Sequence, residues 1–148
     1  MLGSLGSHQS GNGTFVLDSW PVMEWLKERQ PIVDQFELWI EAARRGDTHL
    51  VLSTISLGEI YYNAWNEWSE TRAEVALASL RALPILIVHP TEEDALSAAR
   101  IKGRYKISYA DAFAAVLSLE FDAPIVTGDK DFLRLQRDVL LAVEWVGK

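Results

Sequence analysis

The chain has no cysteine, which excludes disulfides, thiolate nucleophiles and cysteine-held zinc or iron–sulfur centres. That composition fits a reducing, cytoplasmic setting. Histidine is scarce as well: His8 lies in a Gly/Ser-rich start, His49 opens a predicted strand and His89 closes one, so structural or surface roles are expected. No apolar run approaches the roughly 20 residues of a membrane-spanning helix. The N-terminal stretch also lacks the apolar segment of a secretory signal, so neither export nor a membrane partner is indicated. Positive charge is outnumbered, with 14 Lys and Arg against 21 Asp and Glu and a net charge of −7. Such a balance excludes a protein that holds nucleic acid by bulk electrostatics. Any nucleic acid would have to be met locally, and the one basic run is Arg100, Lys102, Arg104 and Lys106. These are RNA-contact candidates, or else a solvated helix end whose cations are favoured by the helix dipole.

What remains is an ordinary domain composition. With 148 residues, 49% hydrophobic and 24% charged, the chain is long enough for one buried core and one domain. Residues 1–14, with Gly at 3, 6, 11 and 13 and Ser at 4, 7 and 10, read as a flexible leader or an expression remnant, leaving 15–148 as the folded unit. From Phe15 onward short β-branched runs alternate with helical stretches. Strands are predicted over Phe15–Leu17, His49–Leu52, Pro84–Val88, Pro124–Val126 and Leu141–Val146. Helices are predicted from about Pro21, Pro31, Leu57, Thr71, Glu92, Tyr109 and Lys130. Strands separated by helices define an α/β class: a mostly parallel sheet of about five strands, covered by helices on both faces.

Ligands of such sheets bind beyond the carboxyl ends of the strands. Asp18, Glu59 and Asp129 each fall at or just past a strand end, and Asp111 opens a helix that is otherwise apolar from Ala110 to Leu117. Close like charges repel by kilocalories, so a convergent all-oxygen cluster of acids points to a hard divalent cation, Mg2+ or Mn2+. Asp131 shares the turn of Asp129 and is a second candidate there, acting through water or as a cap. Helix capping is the competing explanation. Ser56/Glu59, Thr91/Asp94 and Ser108/Asp111 all place an acid three residues after a hydroxyl, the capping-box pattern or its Asp relative, and Asp94 looks like the pure cap. Asp18 could likewise cap the helix that follows it. Beside Glu59, the residues Tyr61, Tyr62, Trp65 and Trp68 make an aromatic-rich stretch suited to core packing or a partner groove.

Taken together, Val16–Ser19, Ser53–Ile60, Ile107–Ala115 and Ala123–Phe132 resemble the PIN domain, and within it the VapC-type toxins of toxin–antitoxin pairs. The resemblance implies a three-layer fold and a metal-dependent endoribonuclease acting on single-stranded or loop RNA. It assigns the acids to Asp18, Glu59, Asp111 and Asp129, with Ser19 and Thr127 as supporting hydroxyls. A cognate VapB-like antitoxin and a homodimer are implied as partners. Gly128 stands where many relatives carry arginine. From a different class, a receiver-like Mg2+-binding regulatory domain could offer Lys130, but the paired acids expected after its first strand are missing; a dehalogenase-like phosphatase would need a second Asp two positions after Asp18, where Trp20 stands.

Overall fold

The computed structural model describes residues 13–139 and 141–148. Five strands form one sheet: β1 (Thr14–Leu17), β2 (His49–Ser53), β3 (Ile85–Val88), β4 (Ile125–Thr127) and β5 (Val143–Trp145). Seven helices are described: α1 (Ser19–Leu26), α2 (Ile32–Arg44), α3 (Thr54–Glu67), α4 (Glu70–Arg81), α5 (Glu92–Arg104), α6 (Tyr109–Phe121) and α7 (Asp131–Asp138). Most of the expected leader, residues 1–12, lies outside the described residues. Thr14, set in that leader by composition, is the first residue of β1, and the Gly13 carbonyl accepts a hydrogen bond from the His49 N–H at 2.7 Å.

All strand pairs are parallel, in the order β3-β2-β1-β4-β5. The chain therefore builds outward from β1 to β3, then returns across β1 to lay down β4 and β5. Side chains of a strand point alternately to opposite faces, and that alternation divides the core in two. Phe15 and Leu17 of β1, Leu50 and Leu52 of β2 and Val126 of β4 face α1 to α4, meeting Val22, Phe36, Trp39, Ile60 and Leu80. Val16, Val51 and Ile125 face the other way, against Ala98 of α5, the Ala112–Leu117 stretch of α6, and Phe132 and Leu135 of α7. The result is the three-layer α/β sandwich expected. Reversing the building direction at β1 also moves the crossover helices to the other face, as a constant crossover hand requires.

Two helices begin earlier than the pattern predicts. α1 starts directly at Ser19, because Pro21 occupies its first turn, where a missing N–H costs no intrahelical bond. For α3 the expected cap hydroxyl is Ser56, but the structure uses Ser53, three residues earlier: its side chain accepts from the Ile55 N–H at 3.0 Å. Ser56 is a buried residue inside the helix whose Oγ has no partner among the described residues. The capping-box explanation of Glu59 thus fails, since Glu59 lies in the second turn. By contrast, Thr91 and Asp94 form the reciprocal box expected of them, with bonds of 2.8 and 3.1 Å. Replacing Ser53 with Ala is expected to destabilise the protein by about 1 kcal/mol. Ser56→Ala should be neutral or stabilising, because it removes an unsatisfied buried hydroxyl; paired denaturant melts distinguish the two.

Candidate metal centre

The sheet register builds the site. β1 and β4 are adjacent, with Leu17 opposite Val126, so one residue further on Asp18 meets Thr127. Here the chain reverses its building direction, the switch point at which parallel sheets open a crevice. Asp18 occupies the N-cap position of α1, yet its carboxylate makes no capping bond. Instead Oδ2 accepts from the Thr127 hydroxyl at 2.8 Å, and the fully buried Oδ1 has no donor among the described residues. Only 2% of Asp18 is exposed.

The other acids arrive from three further elements. Glu59 projects from the second turn of α3, where the Ser19 hydroxyl donates to its Oε1 at 2.7 Å. Asp111 lies in the first turn of α6, its N–H bonded to the Ser108 side chain at 3.0 Å. Ser108 is therefore a true cap, but the Ser108 N–H does not donate back to the Asp111 carboxylate to complete a box, as the Thr91 N–H does to Asp94. The apolar helix around Asp111 leaves it only 6% exposed. In the β4–α7 turn, Thr127 Oγ1 also accepts from the Asp129 N–H at 2.9 Å, and Asp129 Oδ1 accepts from the Asp131 N–H at 3.0 Å. One ligand atom each from Asp18, Glu59 and Asp111 lie within 4.8 Å of one another, as do those of Asp111, Asp129 and Asp131.

These groups line a cavity of about 610 Å3 whose walls carry seven carboxylates and one cation, Lys27. Lys27 lies 3.9 Å from Glu67. Burial raises the Asp18 carboxyl from the usual 3.8 to about 7; repulsion from Glu59 and Asp129 adds to it, against the Thr127 hydroxyl bond and the favourable pull of the neighbouring Ser19 N–H. Asp111 is pushed to about 8, first by burial and then by Asp18, Asp129 and Glu59, with the Ser108 side chain opposing. An orphaned buried carboxylate oxygen, among acids too close to ionise together, fits a divalent cation and no anion.

Sequence reasoning missed Lys27, Asn63, Asn66 and Trp20, which also line the cavity. Asn63 and Asn66 follow Glu59 at i+4 and i+7, so helical spacing alone could have found them. The basic run lies elsewhere: Arg100, Lys102, Arg104 and Lys106 are exposed at and beyond the end of α5, none lines the cavity, and Lys102 Nζ donates to the Ile107 carbonyl at 2.9 Å. Gly128 departs from the resemblance for a steric reason. A Cβ there would stand 2.7 Å from the Trp20 ring, which already covers the position.

Residues 15–138 match the PIN domain, and the chain belongs to that family. Among solved structures it is similar to a chain of VapBC2 from Rickettsia felis bound to a promoter DNA fragment, at 15% identity and a TM-score of 0.68 over 88% of this chain and 97% of that one. It is similar to Mycobacterium tuberculosis VapC20, a sarcin–ricin-loop-cleaving toxin, at 15% identity and a TM-score of 0.68 over 82% and 94% of the two chains. DNA-bound VapBC from Salmonella typhimurium gives 17% identity and a TM-score of 0.68 over 88% and 96%. No curated protein matches the chain at significant similarity.

Because both raised values lie above the unfolded one, the stability these acids contribute is complete below about pH 4 and is lost as pH rises through about 7 and 8. Without divalent ions, Asp111→Asn should be more stable than the parent at pH 8 by on the order of a few kcal/mol, the difference shrinking toward pH 5. Thermal melts across this range check the sign; a difference that does not change with pH would contradict mutual repulsion.

Proposed function

We propose that this PIN domain is an endoribonuclease that cleaves single-stranded or loop RNA with Mg2+ or Mn2+, and that it is the toxin of a toxin–antitoxin pair. The observation that carries the reading is the buried Asp18 carboxylate: its Oδ1 has no donor among the described residues, and one oxygen each of Asp18, Glu59 and Asp111 lie within 4.8 Å of one another. A cation bound there would lower the pKa of a bound water and neutralise charge developing on the phosphodiester.

The chain's own residues have separable tasks. Asp18, Glu59 and Asp111 would hold the ion, and Asp129 and Asp131, which share Asp111 as a neighbour, would offer a second position. Thr127 fixes Asp18 by donating to Oδ2, which leaves Oδ1 for the cation. Ser19 fixes Glu59 in the same way. Among the described residues no histidine lines the cavity, the chain has no cysteine, and the lining hydroxyls of Ser19 and Ser108 are engaged with Glu59 and the Asp111 N–H, so water is the nucleophile the lining favours. Ionisation of Asp18 and Asp111 must accompany cation binding, and the site therefore gains affinity as pH rises toward 8.

Support for an antitoxin comes from two of the similar structures, which are of VapBC, and from the surface beside the cavity. Tyr62 and Trp65 on α3 are 53% and 43% exposed. They adjoin the face of α3 that carries Glu59, Asn63 and Asn66, so an amphipathic antitoxin segment could cover the aromatics while its Arg or Lys enters the acidic cavity. The chain is also read as a homodimer, which would bring two cavities to one RNA.

Asp18→Asn and Asp111→Asn are expected to reduce Mg2+- or Mn2+-dependent cleavage of single-stranded RNA by at least about a hundredfold while the fold is kept. Co-expression with the cognate antitoxin should suppress the parent's cleavage. Full activity in either variant, or no cleavage by the parent with both metals, would sink the nuclease reading.

A further inference from the structure

Beside the acidic cavity lies a second one of different chemistry. It measures about 510 Å3, shares Trp20 and Glu24 with the first, and runs past Gly128 to Trp145, with the cations Arg29, Lys130 and Lys148 in its lining. The two indoles are seated on glycine backbone. A Cβ on Gly128 would come within 2.7 Å of the Trp20 ring, and one on Gly147 within 2.6 Å of the Trp145 ring and 3.0 Å of the Gly128 Cα. Those distances are well inside carbon–carbon contact. Each ring therefore has a backing that any larger residue would displace, and each stays partly open to the cavity.

The cations complete the character of the place. Lys130 is exposed and makes no ion pair with the described residues, while Arg29 lies 3.3 Å from Glu24. Lys130 also directly follows Asp129, so the cationic edge begins one residue from the acidic centre. Backed aromatic rings with nearby cations, in a protein whose net charge is −7, are what single-stranded nucleic acid requires: a face for the base and a local charge for its phosphate. The volume is also in the range of small-ligand sites.

We propose that this second cavity is the subsite for the nucleotide flanking the cleaved phosphodiester, its base stacked on Trp20 and Trp145 and its phosphate held by Lys130 and Arg29. The assignment of a flanking nucleotide rests on the nuclease reading above. A strand leaving the acidic cavity over the shared Trp20 enters the second cavity directly, which makes Trp20 a substrate-binding residue as well as a wall between the two.

Nucleoside 5′-monophosphates contain no scissile diester, so their binding is independent of cleavage. The 15N-labelled full chain is titrated with them in Mg2+, and the indole N–H resonances are assigned with Trp20→Phe and Trp145→Phe. The Trp20 and Trp145 signals should shift saturably while that of the buried Trp39 stays in place, and Lys130→Ala should weaken binding several-fold. On single-stranded RNA, Trp20→Ala and Lys130→Ala should raise KM by about tenfold, more than they lower kcat. The exposed Lys130 keeps the test valid if Trp20→Ala fails to fold. Indole signals that do not move, or an affinity indifferent to Lys130, would overturn the subsite. Binding without RNA cleavage would leave the subsite and remove the nuclease; cleavage with KM unchanged in Lys130→Ala would do the opposite.

Discussion

A carboxylate buried at the head of the central strand constrains this structure more than any other group. Asp18 lies between β1 and β4 with one oxygen held by Thr127 and the other without a donor, while Glu59 and Asp111 approach within 4.8 Å. In a low-dielectric setting such an arrangement cannot be fully ionised on its own. It must take up protons or a cation, and both outcomes follow from the same crowding. A relay of short bonds spreads the constraint outward: Thr127 donates to Asp18 and accepts from the Asp129 N–H, and Asp129 accepts from the Asp131 N–H. Ser19, next in the chain to Asp18, ties Glu59 to the same point.

Parallel topology makes that crowding possible. β1 is flanked by β2 and β4, and the reversal of building direction across it leaves a crevice that no crossover fills. Into that crevice α6 delivers Asp111 from an alanine-rich first turn, whose small side chains allow the helix to approach the sheet closely. α3 delivers Glu59 from its second turn, because its cap is Ser53; with Ser56 as the cap the same residue would lie in the first turn, among the capping positions.

Much of this could be read from the chain. The β/α alternation located every strand, because buried parallel strands carry continuous apolar runs, and strand-end position with apolar context singled out Asp18 and Asp111. Local pattern failed where two local solutions were equal. Ser53 and Ser56 are both hydroxyls just ahead of the helical pattern from Leu57; Ser53 takes the capping bond, and Ser56 is buried inside the helix. It failed again where the signal is purely tertiary: nothing near Trp20 in sequence announces that its ring lies on Gly128, and nothing near Lys27 announces Glu67. The basic run from Arg100 to Lys106 lies outside the acidic cavity. Charge density in sequence is not proximity in space, and these side chains surround the end of α5, with Lys102 spent on the Ile107 carbonyl.

The most direct measurement is anomalous diffraction from crystals of the full chain grown with Mn2+ at pH 8, where Asp18 and Asp111 are most readily ionised. An anomalous peak contacting the carboxylates of Asp18 and Asp111, with Glu59 as a further ligand directly or through water, is the expected result. A fully occupied Mn2+ bound only at surface acids elsewhere, with Asp18 Oδ1 satisfied by a protein donor, would contradict it.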